Sequence, residues 1–374
     1  MKKIALVAIC VLLASGCGIS VADRELPTDC DWTSSRGNGQ NTGSVLSGCS
    51  PSLDQLTKKW QFPAKGAVIQ TPVSQDGKVF IGTIGKKFYC IEIKTGTLVW
   101  EYEADVEIVT PAVIASGKVM FGTKTPSLVC LDVKTGNELW IFDTDGQLST
   151  PNADNDQVYF GTSSKTLSAL KIEDGSEVWS VQLEGGIKGC PAFFESNLII
   201  GCFDGMIHQI DRKTGRIYDI TKSTGPVTTS IAVSGSCIVY ASYEGRIHSF
   251  DIHANKEKWT FNVGTNQEGS PTIWRDKVFF GANDGYFYCL NLEHGTKNWI
   301  YDTGLMRRIV GSSTVSNGMV WFPSEDNYLY CLDAISGDKL WSYKTSDRIW
   351  SSPIITNQHV IVGCNDANIY CFGE

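Results

Sequence analysis

The 13 cysteines of this 374-residue chain never stand next to one another, and no Cys-x-x-Cys or Cys/His pair at zinc spacing occurs among them. No H-E-x-x-H, nucleophile elbow or glycine-rich phosphate loop is present either. These absences leave no ready-made metal, thiol, serine-nucleophile or nucleotide chemistry. Basic charge is also short, with 32 Lys plus Arg against 40 Asp plus Glu and a net charge of −8. Removing the first sixteen residues, with Lys2 and Lys3, takes the charge to −10. Phosphate backbones call for clustered Lys and Arg, so nucleic acid is excluded as a partner. After the N-terminus no apolar run is long enough to span a bilayer as a helix. No window places apolar residues at i, i+3, i+4 and i+7 over three turns, which argues against helical repeats.

What is present is a repeat. The phrase YCLDAISGDKLW ends at Trp341, and variants of it end at Trp100, Trp140, Trp179, Trp259 and Trp299. A further copy carries Tyr218 in the tryptophan slot, and Trp60 supplies one more terminal aromatic without the preceding hairpin. The aromatics at 60, 100, 140, 179, 218, 259, 299 and 341 step by 39 to 42 residues. A period near forty means a propeller or a solenoid, each unit too small to bury its own apolar face. Within the unit from Val109 to Trp140, β-rich runs at 110–114, 119–123, 128–132 and 138–141 are separated by Gly-containing turns. Four short antiparallel strands per forty residues make a propeller blade.

Strand openings recur at Thr71-Pro72, Thr110-Pro111, Thr150-Pro151, Cys190-Pro191, Thr229-Ser230, Ser270-Pro271, Ser312-Ser313 and Ser352-Pro353, which is eight. The last unit stops after its third strand, at Phe372, while Lys59-Trp60-Gln61-Phe62 stands alone at the front. The expected fold is therefore all-β: an eight-bladed β-propeller over residues 54–374, its last blade closed by an N-terminal strand. Closure removes an open edge that would otherwise invite aggregation. The tryptophans at 60, 100, 140, 179, 259, 299 and 341 are expected to dock on the glycine turn of the neighbouring blade, mortar between blades and no ligand cage. Cys90, Cys130, Cys289, Cys331 and Cys371 share one slot that also accepts Ala169 and Ser249, so they read as small packing residues. Cys190–Cys202 is the alternative pairing for a second disulfide.

Residues 1–16 have a basic start, an apolar stretch and small residues before Cys17, the order of an export signal. Ala14-Ser15-Gly16-Cys17 resembles a bacterial lipobox, which implies lipidation at Cys17. Gly18 after that cysteine implies outer-membrane placement, facing the periplasm or the cell surface. Residues 17–53 are polar and read as a tether and surface arm. An exported protein can keep a disulfide, and a Cys30–Cys49 bridge pinning the arm to one face is expected, with free or differently paired thiols as the alternative.

Between those cysteines, Trp32 to Gly43 resembles the W-x-x-x-R-G-N-x-x-x-T-G opening of quinoprotein-type propellers, and the tryptophan-ended repeat resembles their docking motif. In that superfamily the alcohol dehydrogenases hold pyrroloquinoline quinone and calcium with the help of a vicinal disulfide. This chain has no adjacent cysteines, and its repeat stays free of long insertions. It is more similar to the propeller lipoproteins of the outer-membrane β-barrel assembly machinery, the BamB family. That resemblance implies a non-catalytic, lipid-anchored monomer that binds an envelope protein, with no cofactor, no metal and no membrane contact beyond the lipid. A quinone-dependent oxidoreductase or a small-ligand-binding propeller is the alternative. The candidate partner site is Arg307, Arg308, Arg348 and Trp350, which precede the openings of two neighbouring blades. Arginine and tryptophan are the composition of a binding hot spot, unless the arginines pair with Asp302, Glu325 and Asp347.

Overall fold

The structure, a computed structural model, describes residues 30–45, 48–304 and 306–374. The proposed signal segment and Cys17 lie outside these residues. The described backbone forms eight four-stranded antiparallel sheets, the blades of a propeller. In each blade the chain runs outward from the axis, as in Val73–Gln75, Lys78–Gly82, Lys87–Glu92 and Leu98–Glu103. The eighth blade has three C-terminal strands, and its outer strand is Thr57–Pro63, paired antiparallel with Asn368–Gly373. As the repeat count requires, the ring closes by joining the two ends of the chain.

The core lies between blades. Phe80, Phe88 and Cys90 of the first blade pack on Ile114, Val119, Phe121 and Leu131 of the second. Middle strands are covered on both sides, so Lys118–Gly122 is buried at its last four positions, whereas an outer strand such as Glu138–Asp143 is exposed at four of its six positions and buried at none. The shared cysteine slot is fully buried. Burial pushes the thiols of Cys90, Cys130 and Cys289 up to about 12, which keeps them protonated and unreactive at neutral pH. Cys190 and Cys202 are free buried thiols, so the second disulfide allowed by the sequence is not formed.

The recurrent tryptophan lies across six of the eight blade boundaries. The indole N–H groups of Trp60, Trp100, Trp140, Trp179, Trp259 and Trp299 donate to the carbonyls of Ile93, Val133, Ile172, Arg212, Leu292 and Ala334 in the next blade. Each ring covers a glycine turn. At Gly136, with φ +73°, an added Cβ would stand 2.6 Å from the Trp100 ring. Where Tyr218 replaces tryptophan, the receiving turn has Asn255 at φ 50° in the glycine position. The loss of the large ring and the loss of the glycine occur together. Trp341 differs for a topological reason: the eighth blade has no hairpin between its third and outer strands, because that connection is the chain break. Its ring packs instead on Trp321 and Phe372. Gly136→Ala is expected to cost about 1–3 kcal/mol through overpacking and positive φ, measured by urea unfolding. Gly117, also at positive φ but with open space around its Cβ position, is the control and should lose less on the same change.

The described part of the segment expected as a surface arm, residues 30–45 and 48–53, packs onto the ring, with Trp32, Ser34, Ser35, Arg36, Asn41, Gly43 and Cys49 buried. Cys30 and Cys49 are joined by a disulfide, and between them the chain touches all eight blades in order. Trp32 exchanges two backbone hydrogen bonds with Ser74 of the first blade, and Thr33 accepts from Ile114 N of the second. Gly39 accepts from Asn152 Nδ2 of the third blade and from Phe193 N of the fourth. Gln40, Thr42, Gly43 and Cys49 then accept from Val233, Ile273, Val315 and Gln358 N of the last four blades. The physical reason is that innermost strands turn an unpaired edge toward the axis. The arm meets those donors that would otherwise be buried without partners. A polar composition here signals hydrogen bonding to backbone, not exposure to water.

Candidate functional site

The arm covers the end of the ring that carries the turns between innermost and second strands. The other end is formed by the loops between second and third strands and by the connections between blades. Arg307, Arg308, Arg348 and Trp350 lie on those connections, and Glu325 sits on the loop between Met319–Pro323 and Tyr328–Asp333.

Glu325 is the hub. Arg308 donates from Nε to Glu325 Oε2 at 3.0 Å and from Nη2 to Oε1 at 2.7 Å. Its Nη1 reaches Glu268 Oε1 at 2.9 Å. Trp350 Nε1 donates to Glu325 Oε1 at 2.8 Å, which holds the indole half-buried. Arg348 lies 4.0 Å from the same oxygen and 3.8 Å from Asp347, with its guanidinium 5.8 Å from the Trp350 ring centre. Burial alone would push the Glu325 carboxyl up. The hydrogen bonds from Arg308 and Trp350 and the charges of Arg308 and Arg348 outweigh it and hold the carboxyl below its usual range. The stabilisation is therefore present above the unfolded glutamate range and lost as pH falls through the lowered value.

These contacts divide the candidate residues. Arg308 is committed to two carboxylates and organises the surface. Arg348 is half exposed and weakly paired. Arg307 is exposed and makes no ion pair among the described residues. Beside it Met306 is 82% exposed, a large apolar side chain presented to solvent. Asp302 serves locally, accepting from Gly304 N.

Two residues on this end were not singled out from the sequence. Phe203 and Tyr243 stand on equivalent loops of the fourth and fifth blades, 45% and 50% exposed. They occupy the repeat position of Lys124, Asn283 and Glu325. Aligning the repeats on the loop between second and third strands, instead of on the tryptophan, makes the adjacent aromatic pair visible. The end thus carries an aromatic sector on the fourth and fifth blades and an arginine, methionine and tryptophan sector on the sixth to eighth.

Nearer the axis, the residues that open the innermost strands are Thr71, Thr110, Thr150, Cys190, Ser230, Ser270, Ser312 and Ser352. Backbone N–H groups of Cys190, Ser230, Ser270 and Ser312 each donate to the hydroxyl of the next blade's residue, at 2.9–3.1 Å. This row offers neutral hydroxyls and one thiol, with no carboxylate for a divalent cation. A calcium-held quinone does not fit it.

A family model described as outer membrane protein assembly factor BamB matches residues 39–195 and 203–316. Among solved structures, BamB from Moraxella catarrhalis superposes with a TM-score of 0.73 at 18% identity, covering 85% of this chain and 100% of that one. Quinohemoprotein alcohol dehydrogenase from Comamonas testosteroni superposes with a TM-score of 0.76 at 14% identity, covering 92% of this chain and 80% of that one. In sequence, the quinohemoprotein alcohol dehydrogenase of Comamonas testosteroni is 25% identical over 137 residues, 30% of this chain and 19% of the relative. The chain therefore spans a small part of the relative that it matches in sequence, and the superpositions show a shared fold.

Proposed function

Because the chain belongs to the family of the outer membrane protein assembly factor BamB, we propose that it is a non-catalytic scaffold of the cell envelope that helps position a partner in outer-membrane protein assembly. Lipidation at Cys17 would tether it to the membrane, and the rigid ring would present one end to an envelope protein. The observation that carries this reading is the end opposite the arm. Met306 and Trp350 stand beside Arg307 and Arg348, and Phe203 and Tyr243 are exposed on loops of the fourth and fifth blades at the same end of a closed ring. Aromatic, methionine and arginine side chains on a preorganised surface are those that anchor protein partners. The alternative is a quinone-dependent oxidoreductase. It is supported by the likeness to quinohemoprotein alcohol dehydrogenase and opposed by the neutral axial row and the absence of adjacent cysteines.

The test is crosslinking of the lipidated protein in its native envelope, followed by capture and mass spectrometry. Capture of a β-barrel assembly protein is expected, falling roughly tenfold or more for Arg307→Glu with Arg348→Glu, about 1.4 kcal/mol or above. Arg308→Glu is left out because it would break the Glu325 and Glu268 pairs and disturb the surface itself. Recovery of a cytochrome, or dye-linked alcohol oxidation after adding pyrroloquinoline quinone and calcium, would replace this reading with the oxidoreductase.

A further inference from the structure

The fourth blade combines three side chains at one point, a combination that no other blade carries among the described residues. At the start of the loop between second and third strands, other blades have Thr83, Thr123, Thr162, Ser242, Ala282, Ser324 or Cys364, and the fourth has Cys202. Two residues later it has Asp204, in the position of Asp284, Asp326 and Asp366. On the third strand, Met206–Asp211, it has His208 where the sixth, seventh and eighth blades have Tyr288, Tyr330 and Tyr370. In those three blades the tyrosine hydroxyl donates to the loop aspartate at 2.6–2.7 Å, and the pair is satisfied. The fifth blade also has a histidine, His248, but its Nε2 meets Ser242 Oγ at 3.3 Å.

His208 has no such partner. Its side chain is 7% exposed, its Nδ1 is 2.7 Å from Asp219 Oδ1, and its buried Nε2 makes no hydrogen bond. A buried ring nitrogen without a partner is costly and uncommon. One ligand atom each of Cys202, Asp204 and His208 lies within 4.8 Å of the other two. The outer hairpin changes here as well. In the first, second, third, fifth, sixth and seventh blades its register shift falls after the third-strand position of Cys90, Cys130, Ala169, Ser249, Cys289 and Cys331. In the fourth it falls between Ile207 and His208. Bulges that move a side chain are features of binding sites.

We propose that Cys202, Asp204 and His208 form a binding site for a divalent transition-metal ion of the zinc type, with His208 Nε2 as the imidazole ligand. The donor set is one thiolate, one imidazole and one carboxylate, which suits a borderline ion such as Zn²⁺ and not Ca²⁺ or Mg²⁺. Three protein ligands leave the fourth tetrahedral position to water. Asp219 then has a defined part: it accepts the Nδ1–H, fixing the tautomer that presents a lone pair at Nε2, the arrangement found behind metal-binding histidines. The thiol proton of Cys202 leaves to solvent when the metal binds. The sequence reading expected no metal, because Cys202 and His208 are separated by a spacing foreign to zinc motifs. The tight loop between two paired strands is what brings them together.

The test uses the full chain, reduced and metal-stripped, titrated with Co²⁺ and then displaced by Zn²⁺. Equimolar binding with tetrahedral visible bands and a thiolate charge-transfer band is expected for the native chain. Both should be lost in Cys202→Ser and in His208→Tyr, the latter recreating the tyrosine–aspartate pair of three other blades and so keeping the fold. Asp219→Asn should weaken binding about 10–100-fold. Absence of equimolar binding by the native chain, or native-like binding in either Cys202→Ser or His208→Tyr, would overturn the proposal. The urea unfolding transition of each metal-free variant checks that the fold is intact.

Discussion

Exchanging Thr57–Pro63 for a glycine–serine segment of equal length is expected to abolish the monomeric propeller. This strand is the outer strand of the eighth blade, and its antiparallel hydrogen bonds to Asn368–Gly373 close the ring between the front of the chain and its end. Its register places Trp60 opposite Cys371 and Phe62 opposite Ile369, and the Trp60 ring continues onto the Gly96 turn of the first blade. Without it, Asn368–Gly373 becomes an open edge, flanked by apolar surface that was covered on both sides. The net stability of a folded chain is only about 5–15 kcal/mol, and loss of a seven-residue strand with its inter-blade packing removes a large share of that. Light scattering should show association, and unfolding should lose cooperativity. A synthetic peptide of residues 57–63 added in trans should partly restore the monomer. A variant that stays monomeric with native circular dichroism would show that the eighth blade closes without its outer strand.

Trp32→Ala is expected to cost about 3–5 kcal/mol, the range for a fully buried aromatic replaced by alanine. Trp32 is 1% exposed and packs with Val79, Ile81 and Ile91 of the first blade and with Ile354, Ile361 and Ile369 of the eighth. It therefore packs in the same seam between the eighth and first blades that the N-terminal strand covers from outside. The Gly37 turn, at φ +81°, rests on its indole, with only 3.0 Å between the ring and the site of an added Cβ. Alanine would leave a cavity at the seam and loosen the first contact of the arm. Two further residues fix the arm, Arg36 onto the ring and Asn38 within the arm itself. Arg36 donates to Pro271 O, Thr272 Oγ1 and Ser313 O inside the ring. Asn38 Oδ1 accepts from Gln40 N and Thr42 N. Burial strips the Arg36 guanidinium of water and pushes it down to about 10, so its carbonyl partners matter to the arm. Urea unfolding with tryptophan-independent circular dichroism reads the change. A loss under about 1 kcal/mol would mean that the arm is not part of the cooperative unit.

Much of the fold was legible because it is periodic. Eight strand openings and eight spaced aromatics state the blade number, and the orphan Trp60 strand with the truncated last unit states how the ring closes. Local rules carry this: turn glycines, β-rich runs and a fixed period each act within a few residues. The packing of residues 30–45 onto the ring was not legible for the same reason. Polar composition reports a need for hydrogen-bond partners and is silent on whether water or backbone supplies them. Nothing local to Trp32–Gly43 reveals that six innermost strands offer unpaired backbone donors at roughly forty-residue intervals.

The candidate surface was half legible. Arg307, Arg308 and Arg348 could be placed on one end of the ring from the repeat alone, as could Trp350. Which arginine is free depends on Glu325, which reaches Arg308 from a loop 17 residues away. Phe203 and Tyr243 fall outside the tryptophan phrase and became a pair only when adjacent blades were set side by side. The Cys202, Asp204 and His208 cluster shows the same limit, since the spacing of Cys202 and His208 matches no zinc motif.

By itself, then, the sequence determined the class, the number of blades, the closure and the tryptophan positions, because a repeated pattern of turns and apolar alternation is a local property repeated eight times. Tertiary structure alone decided that the arm closes one end, that Glu325 ties up Arg308 while Arg307 stays exposed, and that His208 Nε2 is buried beside a thiol and a carboxylate. Those are contacts between residues whose nearness comes from the ring, and burial and charge pairing act through space, not along the chain.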